Sequence, residues 1–292
     1  MRLTQAIGKG LSELMRVRAT VVIGERGMAG LESGDVDVLF SKSVNNQHLA
    51  TGRGLYARQQ PATWLRSIAW LPQDDVFLFA VAPETGITRF EDIAERKPKL
   101  HVASGMAEVV LKAYGFSYDD IRAWGGTVRS MEHTAAAAQA RFDEGALDAC
   151  FGDGSAYDGS CWTWLGEHGY RFLDVSEAAM QKLEAQGLRR HTVPAGFLPG
   201  IDHDLLALDD SHIVFTCHER LDDELAYNLA KAIDNRKREI EAESIQVSLA
   251  PDGTQSQWTS LTGHIDRQWD AGILGAPLHP GAARYYREKG VL

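Results

Sequence analysis

The chain has 292 residues, 44% of them hydrophobic and 24% charged, with a formal net charge of -10; this length accommodates two medium cores and the composition is that of an ordered protein. The acidic balance excludes a nucleic-acid surface, which needs concentrated lysine and arginine, and no run of about 18 apolar residues is present to span a bilayer. An anionic ligand stays compatible with it, because helix N-termini and a few local donors make an anion site in a protein of opposite overall sign.

Residues 4–16 carry Ile7, Leu11, Leu14 and Met15 on one stripe and are expected to form an amphipathic helix, after which RATVVIGE (18–25) switches to a β-branched run. The opening 24 residues hold basic side chains but no apolar stretch with a small-residue cleavage site. The expectation is a cytoplasmic protein if Met1 is the true start and a periplasmic one if the start is truncated. A turn is expected at Gly27 to Gly30, then a strand over Val36 to Phe40, apolar enough to be buried on both faces. RSIAWLPQDDVFLFAV (66–81) gives two extended runs broken at Pro72, Gln73, Asp74 and Asp75, and TRFEDIAER (88–96) a short helix. KLHVASG (99–105) is a strand feeding a helix over 106–114; a helix over 132–144, a turn at Gly145, the strand LDACF (147–151) and a Gly152-Asp153-Gly154 loop repeat the pattern. A strand YRFLDV (170–175), a helix over 176–187, the strand HIVFTCH (212–218) and one long helix over 221–243 follow, and the chain closes with a helix starting after Pro280. Strands alternating with helices predict an α/β fold.

Cys150, Cys161 and Cys217 lack zinc-ligand spacing. They read as core thiols, with Cys150 and Cys161 able to pair only if a loop brings them together. The run Asp202-His203-Asp204 with His191, His212 and His218 invites a metal or acid–base reading, yet matches no His-Glu-x-x-His pattern. There is no Gly-x-Ser-x-Gly elbow and no phosphate loop; no cofactor and no metal are expected.

Four segments in register carry a resemblance: PLHPGAARYYREKGV (277–291), VPAGFLPG (193–200), GDVDVLFSKSVNNQHLATG (34–52), and the pair IAWLPQDDVFLFAVAPETGITRFEDI (68–93) with EGALDACFGDGSA (144–156). They are similar to the TAXI-type solute-binding subunits of tripartite (TRAP) transporters, a branch of the type II periplasmic binding fold. The resemblance implies a two-lobed α/β protein with a ligand cleft, residues 1–82 plus 202–292 forming one lobe and 83–201 the other. It implies a small acidic or amino-acid solute and membrane permease subunits as partners, and no turnover. The family's first glycine-rich strand has no counterpart before residue 4, its Gln-Ser-Asp corner reads Lys42-Ser43-Val44, and Leu198 replaces an aromatic. The alternative is an enzyme on the same fold, such as an aromatic-acid decarboxylase. A ligand-responsive regulator would need a DNA-reading module, which the sequence lacks.

Such a cleft needs donors where strands end and helices begin. Lys42 and Ser43 stand at such a corner, Ser43 serving either as a ligand contact or as a helix N-cap, and the resemblance adds Gln47. Ser104 and Gly105 could cradle a carboxylate or only terminate a strand. Gly152, Asp153 and Gly154 permit close backbone approach or merely turn the chain; Asp153, if it faces the ligand, favours an amino group over a dicarboxylate. Pro199 completes the resemblance-based set. Trp70, Trp162 and Trp164 are either ligand walls or core, and His279, Tyr285 and Tyr286 read as packing of the last helix.

Overall fold

The protein is described by a computed structural model, and the residues it describes are 2–16, 20, 27–53, 60–72, 75–105, 107–154, 160–210, 212–244 and 264–292. They fall into two compact units: 2–72, 212–244 and 264–292 in one, 75–210 in the other. In chain order the elements are α1 (Arg2–Leu14), α2 (Gly27–Ser33), β1 (Val38–Lys42), α3 (Ser43–Thr51), β2 (Leu65–Pro72), β3 (Val76–Val81) and α4 (Phe90–Arg96). Next come β4 (His101–Ser104), α5 (Glu108–Ala113), α6 (Tyr118–Ala123), β5 (Thr127–Ser130), α7 (Ala135–Asp143), β6 (Ala149–Gly154), α8 (Cys161–Glu167), β7 (Arg171–Phe172) and α9 (Glu177–Glu184). The last are β8 (Arg189–Val193), β9 (Leu205–Asp209), β10 (His212–His218), α10 (Asp223–Asn235), α11 (Lys237–Ser244), α12 (Ala271–Leu274) and α13 (Pro280–Glu288). No described helix is long and apolar enough to cross a membrane.

The first unit is built on an antiparallel sheet in the order β1-β10-β2. Its core sets Ile68, Ala69 and Leu71 against Ile7 and Leu11 of α1, the Ala226, Leu229, Ala230 and Ile233 face of α10, and Tyr285 and Tyr286 of α13. The last helix is held by its own start. His279 accepts a side-chain bond from the amide of Gly281, and Pro280 occupies the first helical turn, where its missing N–H is not needed. The residues just before it cover the edge of β2: Ser67 N donates to Pro277 O at 2.8 Å and His279 N to Ser67 O at 2.9 Å, which closes a sheet edge that would otherwise be open. Gly281 is required because a Cβ there would lie 2.1 Å from the carbonyl oxygen of Asp223. The His-Pro-Gly signature is therefore a piece of packing.

The second unit carries a sheet in the order β5-β4-β6-β3-β9-β8, with β7 added to β3. β4 runs parallel to β5 and β6, while β3 is antiparallel to β6 and β9 and all six of its residues are buried, as a strand covered on both faces requires. Because β3 and β9 belong to this sheet, the expected boundaries after 82 and after 201 shift to the Pro72/Asp75 and Asp210/His212 crossings.

Several expectations are corrected. Gly27 to Gly30 open α2 instead of a turn. The strand expected over 36–40 is β1, half-buried throughout because among the described residues it pairs on one side alone. YRFLDV supplies only the two-residue β7. The long helix expected over 221–243 breaks at Arg236, whose guanidinium bonds both Glu13, at 2.5 Å, and Glu239. RATVVIGE, apart from Thr20, and the polar stretch over 250–263 lie outside the described residues. Trp70, Trp162 and Trp164 are core residues, 1%, 1% and 7% exposed.

Candidate functional site

At one end of the second unit's sheet, strand register gathers three carboxylates. Phe77 of β3 stands opposite Asp153 of β6, and Val76 stands opposite Asp209 of β9, with Asp210 N donating to Asp75 O at 3.2 Å. Side chains two residues apart on a strand, and those directly across from them, project from the same face. Asp75, Asp153 and Asp210 consequently share a face, and a carboxylate oxygen of each lies within 4.8 Å of the others. Asp75 and Asp210 are 3% and 5% exposed and Asp153 is half-buried. Among the described residues no lysine or arginine pairs with Asp153. Three carboxylates so close together suit a positively charged group among them. Oxygen donors alone also suit a hard cation such as calcium or magnesium.

The approach to Asp153 is lined by backbone. Gly105, just past β4, donates its N–H to Phe151 O at 2.7 Å, and a Cβ on it would sit 2.9 Å from Asp153 Oδ1 and 3.0 Å from the Cα of Gly152. Glycine is needed there for close approach. Tyr118 closes the underside, its hydroxyl donating to the carbonyls of Gly105 (3.3 Å) and Phe151 (3.4 Å), and burial pushes its pKa up so that it stays neutral.

Of the residues expected from sequence, the fold thus brings Gly105, Gly152 and Asp153 together. Gly152 and Gly154 belong to β6 and not to a loop, paired with Leu78 and Val76. Gly154 is packed against Trp162, since a Cβ would fall 2.1 Å from Trp162 Nε1. Ser104 spends its hydroxyl on Arg129 O at 3.2 Å. Pro199 presses its carbonyl oxygen onto Gly166, 1.9 Å from where a Cβ would be, and acts in packing. Lys42, Ser43 and Gln47 lie in the first unit. Lys42, not Ser43, is the N-cap of α3, and it makes no side-chain cap bond; the hydroxyl of Ser43 bonds the carbonyl of Ile273, and Gln47 is exposed.

Asp75 and Asp210 were not singled out by motif. Their only sequence signal is a doubled aspartate beside an apolar run, PQDDVFLF and LLALDD, which reads equally well as a strand breaker. The histidines do not form a reaction centre among the described residues. His218 stacks on Trp64 with ring centroids 4.7 Å apart. His191 is half-buried, and burial lowers its pKa. His203 bridges two carboxylates, Nδ1 to Asp202 and Nε2 to Asp174, both at 2.8 Å.

That bridge makes a pH-dependent contribution of known sign. Bonds to Asp202 and then Asp174 raise the pKa of His203, so its contribution is fully present below about pH 6.5, the ordinary histidine value, and is lost as pH rises through the raised one. Asp202, lowered chiefly by His203, loses its share as pH falls through its own depressed value. The thermal midpoint of the wild type is expected to fall, relative to His203→Gln, as pH increases from mildly acidic to alkaline; parallel profiles by calorimetry would remove the bridge from consideration.

The chain is similar in structure to several solute receptors. An ABC uptake transporter substrate-binding protein from Streptococcus pneumoniae with bound histidine is 10% identical, with 85% of each chain covered and a TM-score of 0.41. An ancestral arginine-binding protein bound to arginine is 16% identical, covering 83% of this chain and 85% of that one, with a TM-score of 0.38. A TRAP periplasmic solute-binding protein from Escherichia fergusonii is 9% identical, covering 99% of this chain and 90% of that one, also with a TM-score of 0.38. A family model spans nearly the whole sequence: residues 5–290 match the NMT1-like family, and the chain belongs to it.

Proposed function

We propose that the protein is a solute-binding protein that holds a small solute by a positively charged nitrogen, an ammonium or guanidinium group, against Asp75, Asp153 and Asp210. The observation that carries this reading is the carboxylate trio itself, set on one sheet face and approached over Gly105 and Gly152. A dicarboxylate would add charge of the same sign to it, so of the two solute classes the sequence suggests, the amino acid fits better. Within that role, the segments 277–291 and 193–200 support a TAXI-type subunit of a tripartite transporter, handing its solute to membrane permease subunits. An enzymatic reading has no arrangement of nucleophile and base among the described residues to support it.

The test is thermal unfolding of the full chain against arginine, lysine, histidine, neutral amino acids, diamines and dicarboxylates, with calcium and magnesium run separately and every hit recovered for mass spectrometry. A cationic solute at about 100 times its Kd is expected to add about 2.7 kcal/mol of stability and to be recovered unchanged. Protection by dicarboxylates alone, or by the metal ions alone, would overturn the ammonium reading; conversion of a hit to product would overturn the binding role.

A further inference from the structure

In the second unit, the end of β4 is fixed by a side chain from outside the sheet. Up to Ser104 the strand is paired on both sides, with β5 and with β6, and Met131 N donates to Ser104 O at 2.8 Å. Gly105 lies one residue past that ladder. Its N–H donates to Phe151 O at 2.7 Å, and its carbonyl accepts from the Tyr118 hydroxyl at 3.3 Å; the same hydroxyl reaches Phe151 O at 3.4 Å. Tyr118 has a fixed base, because it is the first residue of α6 and that helix starts on a capping box. Ser117 Oγ accepts from Asp120 N at 3.2 Å, and Asp120 Oδ2 accepts from Ser117 N at 2.8 Å. The Tyr118 side chain is buried, 8% exposed. Gly105 in turn crowds Asp153: a Cβ on it would stand 2.9 Å from Asp153 Oδ1 and 3.4 Å from Asp153 N.

We propose that Tyr118 is a positioning residue of the solute site: its hydroxyl pins the Gly105 peptide against β6 and so holds the Asp153 carboxylate beside Asp75 and Asp210. The inference rests on the solute-binding role, and Tyr118 acts through Asp153 and not by contact with the solute. Tyr118→Phe keeps the buried ring and leaves Phe151 O its bond from Gly105 N, but takes the donor from Gly105 O. A carbonyl without its donor at a strand end lets that peptide turn, and the crowded Asp153 carboxylate shifts with it. A charge-assisted contact depends on where its carboxylate stands, so the cation is held less tightly although no charge has been removed.

The test is a double-mutant cycle on the full chain: wild type, Tyr118→Phe, Asp153→Asn and the double variant. Each is titrated calorimetrically with arginine and with putrescine and unfolded thermally without ligand. Tyr118→Phe is expected to fold and to weaken the bound cation by about three- to tenfold, the worth of about one hydrogen bond. In the Asp153→Asn background, where Asp75 and Asp210 keep binding measurable, Tyr118→Phe is expected to cause no further loss, because two residues that act through one contact are not additive. Equal losses in both backgrounds would give Tyr118 a merely structural role, and unchanged affinity in Tyr118→Phe, or its failure to fold, would overturn the proposal as well. Cation binding that Asp153→Asn weakens and Tyr118→Phe leaves intact sinks this inference alone. If the wild type binds neither probe, the solute-binding role falls and the inference falls with it.

Discussion

Replacing Tyr286 by alanine is expected to cost 3–5 kcal/mol of stability, the range for deleting a large aromatic ring from a packed core. Tyr286 is fully buried, stacks edge-on with Tyr285 at 5.5 Å between centroids and donates its hydroxyl to Ile68 O at 3.1 Å, joining α13 to the central part of β2. Tyr286→Phe keeps the ring and loses one hydrogen bond, so it should cost only about 1 kcal/mol. Urea unfolding of the two variants separates the contributions. Equal losses for both would mean that the hydroxyl, not the packed ring, anchors the helix. On either result the tail signature acts on folding, which is why a motif so specific to the resembled family says little about ligand choice.

Asp153→Asn is expected to move stability and affinity in opposite directions. Removing one of three negative charges that lie within 4.8 Å relieves repulsion; with Asp153 half-buried, solvent screens much of the effect, leaving a gain of about 1 kcal/mol in the ligand-free protein. The same change removes a charge-assisted partner of an ammonium group and should weaken a cationic solute by tenfold or more, about 1.4 kcal/mol. Unfolding without ligand and calorimetric titration with ligand check the two halves. A variant less stable when empty would show that the carboxylate is already satisfied in the native protein, and the trio would then be structural.

Local chemistry made the alternation of strands and helices legible. β4 and β10 follow directly from short extended runs bounded by turn or helix signals, and α13 from Pro280 at its start. What escaped depends on partners far along the chain. Gly152, Asp153 and Gly154 have turn composition, yet they are strand because β3 pairs with them throughout and Gly105 lets β4 end against them. Asp75 and Asp210 sit at strand ends whose neighbours in space are set by the register of β3 with β6 and β9, and register is not written in either segment alone. The same holds for Ser43, a good capping residue by type, whose hydroxyl is taken by a carbonyl of Ile273 some 230 positions away.

The bond from Asp210 N to Asp75 O, 3.2 Å long, has a consequence for how this chain can be cut and rejoined. The stretch 75–210 begins and ends side by side, so its two ends are already neighbours, and such a point is a natural place to open a chain and rejoin it. The remaining sequence would need only a few residues to bridge the gap.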